Sequence, residues 1–180
     1  MSYICPNWLI GAFDNPLRRL VQNPDRIVSS LVEPGQTAVD IGCGIGYFTI
    51  PLARLVASNG KVLAVDLQEK MLAGARRRAE KAGVMDRIRF CLAAPAGLGV
   101  SGPVDFILTF WMVHEVPDRE RFLKEIFGLL RPGGTWLFAE PPIHVTAAAF
   151  QKTVALAQII GFQIVSRPEI GFSRAVLFSR

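Results

Sequence analysis

The 180-residue chain has three cysteines, Cys5, Cys43 and Cys91. They are odd in number and widely spaced. That spacing excludes a disulfide framework, and the lack of a C-x-x-C pair removes the usual zinc pattern. Iron–sulfur chemistry would need a cysteine cluster, which is also missing. Thiols left unpaired suit a reducing cytoplasm. No run of 18 or more apolar residues is present, so no membrane-spanning helix is expected. The opening MSYICPNWLIGAFDNP has neither a basic start nor a continuous apolar stretch, and so does not read as a secretory signal. Repeats, low-complexity tracts and signs of a second domain are absent as well.

Charge of one sign is scarce too. Twenty basic against 15 acidic residues leave a formal net charge of +5. The one dense basic run, Arg76-Arg77-Arg78, falls on a predicted helix and reads as a solvated face. A nucleic-acid surface would want a larger basic face with interleaved aromatics, so no nucleic-acid partner is expected.

The chain does have a core. Hydrophobic residues make up 51% of it, enough for one domain of this length. The organising stretch is TAVDIGCGIGYFTIPL, from Thr37 to Leu52. Ala38, Val39 and Ile41 read as a buried strand. Gly42, Gly44 and Gly46 make a turn, and a helix follows from Tyr47. Glycine permits positive φ and close approach of a ligand to the main chain. The first helical turn offers N–H groups to an anionic group. Asp40 adds a carboxylate at the strand's C-terminal end, the edge where ligands sit in open α/β sheets. A second strand, KVLAVD, ends in Asp66, 22 positions after Gly44. An acid so placed suits ribose hydroxyls. The dinucleotide pattern G-x-G-x-x-G does not fit: Gly46 comes one residue early and Tyr47 fills the expected position.

The pattern D-I-G-C-G-I-G-Y-F, with the later acid Asp66, resembles the first two motifs of class I S-adenosylmethionine-dependent methyltransferases. Leu130-x-Pro132-Gly133-Gly134 before an apolar strand resembles another part of that family's pattern, and the likeness covers about residues 24 to 180. It implies an α/β fold: a single Rossmann-like domain whose seven-stranded, mostly parallel sheet has an antiparallel last strand and helices on both faces. It further implies S-adenosyl-L-methionine as cofactor and no metal. The implied cofactor-binding residues are Asp40, Gly42, Cys43, Gly44, Gly46, Tyr47, Asp66, Leu67, Met71, Ala93, Ala94 and Phe110. Asp40 would meet the ammonium of the methionine part, N–H donors after Gly44 its carboxylate, and Asp66 both ribose hydroxyls. Met71 has two open roles, a rest for adenine or plain core packing. Ala93 and Ala94 depart from the family, which commonly places a polar group there for adenine. Backbone groups would then have to do the reading.

The remaining elements follow from periodicity and caps. Helices are expected from Asn23 to about Val32, Tyr47 to about Ser58, Gln68 to Ala82, Asp118 to about Leu130 and His144 to Ile160. Strands are expected over Arg87 to Leu92, Val104 to Phe110 and Thr135 to Glu140, with a final pair from Phe162 to Arg167 and Phe172 to Phe178. Arg131 to Gly134 reads as a turn.

The domain is set at residues 23–180, with 1–22 as a segment carrying Trp8 and Phe13 that either covers the active site or packs on the sheet. The loop from Trp111 to Pro117 follows the fourth strand, where acceptors usually lie in the resembling fold. It is similar to the corresponding segment of small-molecule methyltransferases, including quinone-pathway enzymes. It lacks the N-P-P-Y type of sequence of amino-group methylases and an acid pair for magnesium. His114 is the candidate acid–base residue, its ordinary pKa near neutrality. Holding the loop by hydrogen bonds is its competing role. Glu115 reads as solvated or as a helix-dipole residue.

The expected activity is methyl transfer to a small-molecule acceptor. Two other readings stay open: a non-catalytic cofactor-binding partner, and a nicotinamide oxidoreductase. The latter leaves Asp40 and the final strand pair unexplained.

Overall fold

The structure, a computed structural model, describes residues 20–94 and 97–180. The expected cover segment, with Trp8 and Phe13, lies outside the described residues apart from its last three. Seven strands form one sheet: β1 (Thr37–Ile41), β2 (Lys61–Asp66), β3 (Ile88–Leu92), β4 (Val104–Phe110), β5 (Leu130–Glu140), β6 (Gln163–Ser166) and β7 (Arg174–Ser179). Their order is β3-β2-β1-β4-β5-β7-β6. The five strands from β3 to β5 are parallel to their neighbours, and β7 runs antiparallel to both β5 and β6. The expected fold class is thus the observed one.

Among the described residues, these α-helices accompany the sheet: α1 (Pro24–Val28), α2 (Thr49–Leu55), α3 (Glu69–Ala82), α4 (Arg119–Leu129) and α5 (Ala147–Ile160). Side chains alternate across a strand, so each central strand feeds two cores. Val39, Ile41, Leu63, Val65, Ile107, Trp136 and Phe138 pack with α4 and α5 on one face. Ala38, Val62, Ala64, Phe106, Leu108 and Leu137 pack with α1, α2 and α3 on the other. Parallel strands buried on both faces read as near-continuous apolar runs, which is how FILTF in β4 appears. The ring cluster under β5 is dense: Trp136 stacks on Phe178 at 4.9 Å and Phe138 on Phe150 at 4.9 Å.

Caps set several boundaries. Asn23 accepts from the Asp25 and Arg26 amides, Asp118 from Arg121 and Thr146 from Ala149. Gly83 closes α3 in the left-handed conformation.

Five expected boundaries need correction. The first helix ends at Val28, not near Val32. The helix after the glycine loop starts at Thr49 rather than Tyr47, because positive φ at Gly46 keeps the chain turning before it. It stops at Leu55, and Ala57 is left-handed with φ 57°. The helix expected from His144 starts at Ala147. Thr146 caps it, and the Pro141-Pro142 segment forms a turn first. Arg131 to Gly134 lies inside β5, yet it bulges. Val104 pairs with Leu130 while Phe106 pairs with Thr135, so the intervening residues are looped out of the ladder.

Candidate functional site

The sheet changes direction of growth between β1 and β4: β2 lies to one side of β1, and β4 and β5 to the other. A crevice outside the strands' carboxyl ends at such a switch point is where α/β sheets take ligands. Asp40, the glycine loop, Asp66, Phe110, the 111–116 loop and Glu140 all come from strand ends at this edge.

The glycine loop is held by its own bonds. Gly42 and Cys43 amides both donate to Val65 O, at 2.8 and 3.0 Å, and Gly46 N donates to Cys43 O at 2.9 Å. Gly44 N donates to Asp66 Oδ2 at 2.9 Å, while Asp66 Oδ1 accepts from Gln68 N at 2.9 Å. The acid of β2 therefore braces the loop of β1. Gly42, Gly44 and Gly46 have φ of 73°, 53° and 88°, which only glycine adopts without strain. A β-carbon on Gly42 would stand 2.9 Å from Met112 Cγ, and one on Gly74 in α3 would stand 2.8 Å from Ile45 Cγ2. At Gly44 it would meet nothing within 4 Å, so the space over the middle of the loop is open.

Asp40 is not an open carboxylate. Strand alternation puts it on the face under α2, only 3% exposed, where Thr49 Oγ1 donates to its Oδ2 at 2.6 Å. Burial pushes its pKa up to about 7, opposed by the Thr49 hydroxyl and aided by the Asp66 charge. Burial also raises Asp66, against the pull of the Gln68, Gly44 and Leu67 amides. Cys43 is a buried thiol raised well above its ordinary value, chiefly by desolvation and then by Asp40. Tyr47 turns outward from the loop, and its hydroxyl donates to Gln22 O at 2.8 Å.

On the far side of Asp66, Leu67 and Leu92 are 53% and 54% exposed at the ends of adjacent strands. Met71 is buried, 7% exposed. Ala93 N donates to Asp66 O at 2.9 Å, and Ala94 exchanges both backbone bonds with Gly97 at 3.0 Å. The backbone polar groups expected to read adenine are thus largely paired within the chain. Phe110 is buried and packs between Phe48, at 4.5 Å, and Trp111, at 5.5 Å.

Trp111 has φ 62°, a left-handed conformation that is uncommon for an aromatic residue. Its amide donates to Ala139 O at 2.8 Å and its indole N–H to Ser173 Oγ at 2.9 Å. These bonds redirect the chain out of β4, so Met112 lies against Gly42 and His114 reaches Glu140. One oxygen of Glu140 accepts from the His114 amide at 2.9 Å, and the other shares a hydrogen bond of 2.6 Å with His114 Nδ1. Glu140 is 1% exposed. Its hydrogen bond raises the His114 pKa, against desolvation, and its charge adds to the rise.

Glu115, expected to be solvated or a helix-dipole residue, is half-buried. Desolvation raises its pKa, His114 lowers it, and Glu140 and Asp66 raise it further. The edge therefore carries Asp40, Asp66, Glu115 and Glu140 in one electrostatic neighbourhood, a setting for a cationic ligand.

Sequence reasoning missed Glu140 as a site residue, together with Glu115, Met112 and Gly74. Glu140 carried a usable signal, an acid closing a strand at the same edge just before Pro141-Pro142. Gly74 carried none, since a helical glycine does not announce what packs against it.

Among the described residues no group of three or more His, Cys, Asp or Glu side chains is placed to hold a metal, and no helix is long and apolar enough to cross a membrane.

Residues 38–134, more than half of the chain, match the family described as methyltransferase domain. The chain is 30% identical over 123 residues to the ubiquinone/menaquinone biosynthesis C-methyltransferase UbiE of Escherichia coli K12, covering 66% of this chain and 49% of that protein. It thus spans about half the length of the curated relatives it matches. In fold it is similar to a SAM-dependent methyltransferase from Aquifex aeolicus, with a TM-score of 0.87 at 22% identity, covering 97% of this chain and 98% of the other. A SAM-dependent O-methyltransferase from Thermotoga maritima matches with a TM-score of 0.70 at 22% identity, over 88% of this chain and 64% of that one.

Proposed function

The chain belongs to the methyltransferase domain family, in its class I S-adenosylmethionine-dependent branch, and from that premise we propose that it transfers a methyl group to a small-molecule acceptor. The observation that carries the reading is Asp66 bonded to Gly44 at 2.9 Å beside the open space over that glycine. The residues fit the cofactor. Asp66 has a carboxylate at the sheet edge for ribose hydroxyls, and exposed Leu67 and Leu92 offer an apolar rest for adenine. Ile45 N–H, without a partner among the described residues, suits the methionine carboxylate. The four acids suit a ligand bearing two positive charges, an ammonium and a sulfonium.

When bound, S-adenosylmethionine supplies an electrophilic methyl group on a sulfur that leaves as a neutral thioether. The protein's task is to bring the acceptor within about 3–3.5 Å and in line, which contributes roughly 7–11 kcal/mol. Asp40 has a part that burial defines: its Thr49 bond ties the end of β1 to the start of α2 and so sets the loop. An incoming ammonium would favour its ionised form. His114 stands on the acceptor side, two residues from Met112, and is the group available to take a proton. The quinone named for the UbiE relatives is a ring-bearing small molecule, which supports a small acceptor over a macromolecule.

Calorimetry with S-adenosylhomocysteine tests the donor site. Labelled S-adenosylmethionine with a metabolite pool tests the acceptor, and the expected product is a methylated small molecule. Labelling of only protein or RNA would refute the acceptor assignment.

A further inference from the structure

A cavity of about 170 Å³ lies beside the donor edge, lined by His114, Arg119, Glu140, His144, Val145, Ala149 and Thr153. It contains none of the glycine-loop residues, yet the 111–116 loop joins the two places, with Met112 against Gly42 and His114 on Glu140.

Three features give the cavity chemistry. Both oxygens of buried Glu140 are engaged by His114, one by its amide and one at Nδ1, so Nε2 is the ring nitrogen turned away from the carboxylate, and with Nδ1 donating to Glu140 it is the one that bears the basic lone pair. Nε2 has no hydrogen-bond partner among the described residues. The His144 ring lies nearly parallel to that of His114, with centroids 5.8 Å apart and planes 11° apart. A second imidazole thus faces the same small space. Arg119, whose guanidinium donates to His114 O at 3.3 Å, brings a cation to the rim.

Resting on the methyltransferase reading, we propose that this cavity receives the proton-bearing end of a one-ring acceptor, with His114 Nε2 taking the proton and Glu140 acting as the positioning residue. The size matches: a cavity of about 150 Å³ is enough for a benzene-sized ring. The acceptor class is an acidic hydroxyl or carbon acid, which must lose a proton as it is methylated. The acceptor's X–H pair forms the new X–CH3 bond, the C–S pair leaves with sulfur, and the proton passes to Nε2. The imidazolium so formed faces Glu140. The other charged or titratable groups around His114 are Glu115 on its own turn, Arg119 at the start of α4 and His144 after β5.

The test uses the free protein with ¹⁵N-labelled histidine. Neutral His114 is expected as the Nδ1–H tautomer, with a titration midpoint above that of an exposed histidine. Glu140→Gln keeps an oxygen acceptor but removes the charge, and should lower the proton affinity of His114 at least tenfold. By ¹⁹F NMR, 4-fluorophenol should shift saturably towards phenolate on the wild-type protein, while 4-fluoroanisole, which has no proton to lose, should not. An Nε2–H tautomer, a midpoint no higher than that of an exposed histidine, or identical behaviour of the two fluorinated probes overturns the proposal. The wild-type tautomer and midpoint decide it even if the variant does not fold. S-adenosylhomocysteine calorimetry on the same sample shows separately whether the donor reading has failed.

Discussion

Asp66 Oδ2 accepts the Gly44 amide at 2.9 Å, so the acid at the end of β2 holds the glycine turn at the end of β1. One carboxylate thereby links two strand ends that would share a ligand. Asp66→Ala should weaken S-adenosylhomocysteine binding by about 1–3 kcal/mol, since it removes a charged acceptor and frees the loop amide. Asp66→Asn should fall between, because it keeps one acceptor oxygen. Calorimetry reads both, and unchanged affinity in the alanine variant would take Asp66 out of the site.

Gly74→Ala makes the opposite sign of change from its helix propensity. Alanine in a helix interior gains about 0.8–1.0 kcal/mol over glycine. Here the new methyl would stand 2.8 Å from Ile45 Cγ2, so α3 or the glycine loop must move. Net destabilisation of about 1–2 kcal/mol is expected, with weaker donor binding. Urea denaturation measures the first, and the pair Gly74→Ala with Ile45→Ala should recover part of it. A more stable single variant would mean the loop yields freely.

Stability should fall as pH rises from 5 to 8. Asp40, at about 7, and Asp66, Glu115 and His114 all have folded pKa values raised above their ordinary ones. For each, the folded state holds a proton that the unfolded chain has released between the two values, so raising pH favours unfolding. For His114 the contribution is complete below its unfolded value of 6.5 and lost through the higher folded one. For Asp40, protonation favours the fold as pH drops from 7 towards 3.8, with a ceiling of roughly 4 kcal/mol. Denaturation of wild type and Asp40→Asn at pH 5.5 and 8 checks this: the variant should show the weaker dependence.

Donor binding should follow the opposite trend. An ammonium drawn to Asp40 favours its ionised form, so S-adenosylhomocysteine should bind more tightly from pH 6 to 8 and release a proton below pH 7. Calorimetry in buffers of different ionisation enthalpy counts that proton. Proton uptake would contradict the assignment of Asp40.

Trp136 is fully buried, and its indole N–H donates to Thr109 Oγ1 at 2.9 Å. Thr109→Val keeps the volume but leaves that donor unpaired in the core. The expected loss is about 1–3 kcal/mol by denaturation, with Thr109→Ser milder in hydrogen bonding though short of a methyl.

Much of the architecture was legible because local chemistry marks it. Asn23 and Asp118 cap helices through their own side chains, and β4 shows its two-sided burial as an apolar run. Thr146 shows the limit: its cap competes with a helical pattern that extends back to His144, and the Pro-Pro turn decides between them. The three glycines of the loop were readable from spacing. Their bonding to Val65 and Asp66 was not, because it depends on how two strands, in register at a separation of 24 residues, lie side by side.

The succession of strands and helices, the glycine turn with an acid on each of two strand ends, and through them the family, are all written in local residue patterns. Periodicity and turn residues act over a few positions, so they survive in one dimension. Long-range packing is what sets which carboxylates are open and which are buried, that Glu140 clamps His114, and that Met112 and Ile45 need Gly42 and Gly74. Those relations are set by strand register and burial, which bring together residues up to 70 positions apart and change their proton affinities through desolvation.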